Sequence, residues 1–308
     1  MKILIELPTW LGDAIMTTPA IENLIEQFND AEIILIGSII SIEALKNHPK
    51  VIKTYVLDKK IISLFELPKK FKEFDLFISF RSSFRSKVFK FLISAKKKFQ
   101  FNKKKFGHGH QVEKYNNFIN KALQISSKAN KLVLHSVESI KNSENKLLGI
   151  NPGASYGSAK RWYPDEFAEV AFQLSSHYDI IIFGGPNEKN IADDIEGYLI
   201  KKGVENYQNL SDKTNVKELI KLISSLSIFI TGDSGPMHIA AALQIPTVSI
   251  FGPTNNQETN QWMNQNSEVV KKNLDCQPCM KRTCPLKHHK CMKLIKPEDV
   301  LSAVRKLS

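Results

Sequence analysis

Short apolar runs, each followed by a helix-length segment, recur along the chain, and this alternation limits its folds more than any other feature. Lys2-Ile-Leu-Ile-Glu-Leu7 opens the series, a helical pattern covers 14–28, and Glu32-Ile-Ile-Leu-Ile-Gly37 follows; Thr54-Tyr-Val-Leu57 and Leu76-Phe-Ile-Ser-Phe80 continue it. Runs that are apolar at nearly every position belong to strands covered on both faces, as in parallel sheets built from βαβ units. After a polar stretch at 142–146 the pattern restarts, with strands at 147–151, 180–183, 228–231 and 247–251 and helices at 164–176, 187–202 and from Pro236. The expected fold is α/β: two Rossmann-like, doubly wound parallel-sheet domains, 1–145 and 146–308, facing a cleft. Pro297 suits the first turn of a closing helix, 297–307, which is expected to pack back on the N-terminal domain.

A length of 308 residues accommodates two domains, and 42% hydrophobic with 24% charged residues is ordinary for soluble globular chains. No run approaches the roughly 18 apolar residues of a spanning helix, so a cytoplasmic protein is expected. The net charge of +12 implies an anionic partner. Ten Lys or Arg residues lie between Arg81 and Lys105, with no Asp or Glu among them. Such a run reads either as a solvated helix face and loop or as a localised positive field.

Ligands of open α/β sheets bind beyond the carboxyl ends of the strands, so the loops there are where chemistry belongs. Pro8-Thr-Trp-Leu-Gly-Asp13 follows the first strand and puts Asp13 either at a helix N-cap or in the role of a general base. Asn151-Pro-Gly-Ala-Ser-Tyr-Gly-Ser-Ala-Lys-Arg-Trp162 is rich in small residues and ends in two cations, as an anion-wrapping loop would. It lacks the Walker A spacing, and the chain has no G-x-G-x-x-G fingerprint. Its plainer reading makes Lys160 and Arg161 surface charges and Trp162 a core anchor. In Thr231-Gly-Asp-Ser-Gly-Pro-Met-His238, Ser234 or Gly235 suits a cap and Pro236 a first helical position, which makes an amide-lined helix start fit for phosphate. Phe183-Gly-Gly-Pro-Asn-Glu188 sets Glu188 near the same edge, as a ribose contact or a helix-start carboxylate.

In this order and spacing the motifs resemble the lipopolysaccharide heptosyltransferases over nearly the whole chain, with Ala159-Lys-Arg-Trp162 most similar to their heptosyltransferase II branch. The resemblance implies a GT-B architecture, with the acceptor bound by the N-terminal half and the donor by the C-terminal half. It also implies inverting transfer of heptose from ADP-L-glycero-β-D-manno-heptose to heptosyl-Kdo-lipid A, with no catalytic metal and no required cofactor. By the same resemblance, Asp13 is the base and Lys160 neutralises the diphosphate; Ser155 is a phosphate contact, though the family more often has Thr in that region. Asp233, Ser234, Gly235 and His238 match the motif that holds diphosphate and sugar, and Glu188 the ribose or adenine contact. An acceptor borne on lipid A gives the Arg81–Lys105 cations a purpose, docking the protein as a monomer on the inner leaflet of the cytoplasmic membrane.

Cys276, Cys279, Cys284 and Cys291, with His288 and His289 nearby, form a cluster of soft ligands that could hold a structural zinc or could stay as reduced thiols. Two rival functions remain open at this level. One is a GT-B transferase using another nucleotide sugar. The other is a basic nucleic-acid-binding module, with Phe84, Phe89, Phe91, Phe99 and Phe101 as stacking platforms, a reading that leaves the cleft loops unexplained.

Overall fold

A computed structural model describes residues 1–58, 60–135, 137 and 145–307. The chain divides into two compact units, Met1–Ser136 and Val137–Ser308. The sequence places the boundary at 145, in the polar stretch 142–146, of which 142–144 lie outside the described residues. Among the described residues no helix is long and apolar enough to cross a membrane.

The first unit runs β1 (Lys2–Glu6), α1 (Leu11–Met16), α2 (Thr18–Gln27), β2 (Glu32–Gly37), α3 (Ile39–Leu45), β3 (Val51–Val56), α4 (Ile61–Lys69), β4 (Phe74–Ser79), α5 (Phe84–Leu92), β5 (Ala95–Gln100) and α6 (Gln111–Leu123). Its five strands are parallel in the order β3-β2-β1-β4-β5. Central β1 buries Ile3, Leu4 and Ile5 completely, as a strand covered on both faces must.

Two local features depart from the sequence reading. The single helix expected at 14–28 is two helices broken at Thr17, whose hydroxyl bonds the Ala14 carbonyl at 2.6 Å while Pro19, lacking an N–H, sits in the first turn of α2. Three of the ten cations lie in neither helix nor loop: Lys96, Lys97 and Lys98 are in β5 at the sheet edge, where charge discourages pairing with another chain, and Lys96 is paired with Asp75 at 2.7 Å.

The second unit runs β6 (Leu147–Asn151), α7 (Pro164–Leu174), β7 (Asp179–Ile182), α8 (Lys189–Lys201), β8 (Tyr207–Asn209), α9 (Val216–Ser224), β9 (Ile228–Gly232), α10 (Gly235–Ala242), β10 (Thr247–Phe251), α11 (Asn256–Thr259), β11 (Ser267–Lys271), α12 (Lys290–Lys293) and α13 (Pro297–Leu307). Six parallel strands take the order β11-β10-β9-β6-β7-β8. The closing helix α13 buries Val300, Leu301, Ala303 and Val304 in the core of this unit and packs on β11, α7 and β10. Trp162 is in the same core, its indole N–H donating to the Ile295 carbonyl at 3.1 Å, which makes it the anchor of the loop that precedes it.

Candidate active site

In the second sheet the chain leaves β6 in one direction to β7 and β8 and fills the other side with β9, β10 and β11. Strand order therefore reverses between β6 and β9, the position at which open α/β sheets bind their ligands. Asn151, the buried last residue of β6, bridges the two ends: its side-chain amide donates to Thr231 Oγ1 at 3.2 Å and to Ser234 Oγ at 3.1 Å.

Lys160 reaches across the same gap. Its Nζ lies 2.6 Å from Asp233 Oδ2, donates to the Asp233 carbonyl at 3.2 Å and stands 4.9 Å from the centre of the Tyr156 ring. With side-chain exposures of 12% and 6%, the two residues form a nearly buried pair, so Lys160 is not the surface charge of the plainer reading. Thr254 donates to the same Asp233 oxygen at 2.6 Å.

Ser234 is the N-cap residue of α10 and Gly235 its first helical residue, but the Ser234 hydroxyl engages Asn151 and Thr231 and makes no capping bond. The Lys160 ammonium, bound to the Asp233 carbonyl just ahead of the N-cap, lies beside the positive end of α10, so a cation and a helix start meet at one point. His238 is buried one turn into α10. Glu188 is buried at the start of α8, and its carboxylate accepts the Gly185 amide at 2.8 Å. Gly153 approaches Glu188 so closely that a Cβ there would overlap the carboxylate, which ties Glu188 to the Lys160 loop at its other end. Ser155 is exposed on that loop. The structure therefore gathers Lys160, Asp233, Ser234 and Gly235 at one point, with Glu188 alongside.

The cysteine segment buttresses this arrangement. Arg282 O accepts the Ala159 amide at 3.0 Å, Met280 O accepts the Tyr156 hydroxyl at 2.8 Å, and the His289 ring bonds Ala159 O at 2.9 Å and the Tyr163 hydroxyl at 3.1 Å. The same segment holds the Thr254 loop, through Met280 N to Pro253 O at 2.9 Å and Gln277 Nε2 to Gly252 O at 2.6 Å. All four thiols line one cavity of about 20 Å³ with His288 and His289, and burial raises Cys291 to about 11. Among the described residues, however, the ligand atoms gathered within 4.8 Å of one another are those of Glu22, His48 and His135, not the four sulfurs. A tetrahedral Zn–S site, with bonds of about 2.3 Å, needs its sulfurs closer together than that. As it stands the segment is held by hydrogen bonds, with the four thiols and both histidines around one cavity.

In the first sheet the reversal falls between β1 and β4. The loop after β1 is pinned by Ser38 and Ser41, whose hydroxyls donate to Thr9 O at 2.8 Å and Pro8 O at 2.5 Å. The N-cap reading of Asp13 fails: α1 begins at Leu11 with Trp10 as the N-cap residue, so Asp13 lies inside the first turn. Its carboxylate meets Tyr115 of α6. Burial, and then the hydrogen-bonded Asp13 charge, push the Tyr115 hydroxyl well above its ordinary pKa, so it remains a proton donor to Asp13.

The loop after β4 carries Arg81, which reaches Glu6 Oε1 at 3.5 Å; Ser79 and Ser86 donate to the same carboxylate at 2.5 and 2.9 Å. Burial raises the Glu6 pKa against the opposing pull of Ser79 and Arg81. Sequence reasoning missed Tyr115, Glu6, Asn151 and Thr254. Tyr115 sits among apolar helix positions and Glu6 inside an apolar strand, so nothing local marks either as polar machinery.

The Glu22 cluster does not read as a metal site. Lys50 N donates to His48 Nδ1 at 3.0 Å, so neutral His48 carries its proton on Nε2 and donates it to Glu22 Oε1 at 3.1 Å, leaving no lone pair there for an ion.

The sequence pattern of Glycosyltransferase family 9 (heptosyltransferase) matches residues 78–290. The chain is 42% identical to lipooligosaccharide heptosyltransferase 2 of Campylobacter jejuni subsp. jejuni serotype O:2, an alignment covering 100% of this chain and 98% of that one. Its fold matches the structure of Escherichia coli ADP-heptose LPS heptosyltransferase II with a TM-score of 0.83 at 22% identity, covering 100% and 98% of the two chains. It also matches E. coli heptosyltransferase WaaC with ADP at 0.79 and 15% identity, covering 100% of each.

Proposed function

The chain belongs to glycosyltransferase family 9 and is a heptosyltransferase of lipooligosaccharide and lipopolysaccharide inner-core assembly, and from this premise we propose that ADP-L-glycero-β-D-manno-heptose is its donor and heptosyl-Kdo-lipid A its acceptor. The observation that carries the donor reading is the buried Lys160–Asp233 pair at the start of α10. A cation, a helix start and small residues at a strand-order reversal together suit a diphosphate.

In the proposed reaction Asp13, oriented by Tyr115, takes the proton from an acceptor hydroxyl. That oxygen attacks the anomeric carbon, the bond from this carbon to the phosphate oxygen breaks, and ADP leaves with the electron pair from the opposite face. Lys160 and the amides at the start of α10 stabilise the charge that grows on the diphosphate. Ser155 and His238 contact the phosphates and sugar, and Glu188 the ribose. No step needs a metal or cofactor. Arg81, held by Glu6, and the cations of α5 attract the protein to the anionic acceptor at the inner leaflet of the cytoplasmic membrane, where each cation near the surface contributes about 1 kcal/mol.

The test is ADP release from ADP-heptose with heptosyl-Kdo-lipid A as acceptor. Wild type should turn over and Asp13→Ala should lose 10²-fold or more, in line with the usual worth of a general base, roughly 10²- to 10⁴-fold. Full activity of Asp13→Ala, or turnover with UDP-sugars alone, refutes the reading.

A further inference from the structure

Helices α4 and α5 pack side by side and turn Leu64, Leu67, Val88 and Phe89 into one core. Their opposite faces carry side chains that core packing does not explain. On α5, Phe84 is 79% exposed and Phe91 82% exposed; they lie one heptad apart on a single stripe, with exposed Lys87 between them. On α4, Ile62 is 65% exposed and Phe65 46%, in line with exposed Lys69. Arg85 locks the two elements in register: its Nη2 donates to the carbonyls of Asp58 at 2.8 Å and Lys60 at 2.9 Å, just ahead of α4. Phe84, the neighbour of Arg85, is thereby held near the start of α4, and the two exposed stripes belong to helices packed side by side.

We infer that this α4–α5 face is an insertion surface for an anionic lipid bilayer, with Phe84, Phe91, Ile62 and Phe65 entering the headgroup–acyl boundary. Scattered exposed apolar residues are ordinary, but two nearly fully exposed phenylalanines on one stripe need an occupant. Charge complementarity selects a bilayer. Lys60, Lys69, Lys70, Lys87 and Lys90 lie on or just ahead of the two helices against the acids Asp58 and Glu66, and the chain from Arg81 to Lys105 has no acid at all. Alternating aromatics and lysines on a helix face are the pattern of interfacial binding, rings in the acyl boundary and ammonium groups at phosphates. The inference deepens the membrane part of the proposed function and rests on it: polybasic attraction brings the protein to the surface, and the exposed stripes fix which face meets it.

The experiment is co-sedimentation of the full chain with phosphatidylglycerol-containing and with pure phosphatidylcholine vesicles at about 0.15 M salt. Wild type, the double variant Phe84→Ser/Phe91→Ser and Lys87→Glu are compared, alongside ADP release with a deacylated, water-soluble acceptor. Wild type should bind the anionic vesicles preferentially. The double variant should bind them at least about ten-fold more weakly, since it removes both rings that enter the acyl boundary, and should keep its activity on the soluble acceptor. Lys87→Glu should weaken binding less and make it less salt-dependent. If the double variant binds as wild type does, the face is wrong while membrane association stands. If wild type binds neither vesicle, both fail. A wild-type dimer dissolved by the double variant, with vesicle binding unchanged, overturns the inference in favour of a second copy as occupant.

Discussion

Replacing Lys160 with methionine keeps most of the side-chain volume and removes the charge, so it separates what the ammonium does for folding from what it does for chemistry. In the folded state Asp233, 6% exposed, would keep the Thr254 hydroxyl at 2.6 Å but lose the ammonium at 2.6 Å. Breaking a buried ion pair by removing one partner costs about 3–5 kcal/mol. The remaining hydroxyl and the 12% exposure of Lys160 bring the expected cost to the lower end, about 2–3 kcal/mol, or roughly 5–10 °C in Tm for a domain of this size. In the transition state the missing cation removes one preorganised partner of the leaving diphosphate, worth about 10²- to 10³-fold in kcat.

The double variant Lys160→Met/Asp233→Asn tells the two roles apart. The introduced amide can still accept from Thr254 and carries no charge to strand, so thermal unfolding should return to within about 1 kcal/mol of wild type. ADP release at saturating donor should stay at the single variant's level. If activity recovers together with stability, Lys160 is a structural cation and the diphosphate assignment falls. If Lys160→Met melts at the wild-type temperature, the pair is not the buried one described here.

Three further outcomes follow from other contacts. Gly153→Ala forces a methyl into the Glu188 carboxylate, so donor KM should rise at least about ten-fold and stability fall by about 1–3 kcal/mol; wild-type kinetics would refute the close approach. Tyr115→Phe keeps the ring in its pocket and removes the donor to Asp13, so kcat should drop about ten-fold with acceptor KM unchanged, and an effect on KM alone would contradict a positioning role. Burial pushes the Glu22 carboxyl up, but hydrogen bonds from His48 and His135 outweigh it and hold the group below its ordinary 4.5. Its contribution is thus present above 4.5 and is lost as pH falls through the lower folded value; urea titrations should show Glu22→Gln losing less stability than wild type across that window, and equal acid slopes would exclude the linkage.

Much of this protein was legible because its signals are local. Continuous apolar runs such as Ile3-Leu-Ile5 mark two-faced parallel strands whatever surrounds them, and Gly-rich loops with Lys160 or Asp233 can be placed at strand ends from sequence spacing alone. Pro164 and Pro297 mark helix starts for an equally local reason, a fixed φ and a missing donor. The break at Thr17 is also local, but the apolar periodicity of 14–28 runs across it and hides it.

What the tertiary structure decided is which distant residues meet. Strand order is not sequence order: β4 comes to lie beside β1 and β9 beside β6, and these neighbourhoods join Arg81 to Glu6 and Asn151 to Ser234. Asp13 could be read as a cap or a base from its loop, yet its partner Tyr115 lies on a helix whose polar and apolar spacing advertises only a core face. The lysines of β5 likewise became edge-strand residues only once the sheet ended there. Periodicity reports how a segment is buried, since burial acts on each residue in turn; the partner of a buried polar group depends on the path of the whole chain, which no single segment carries.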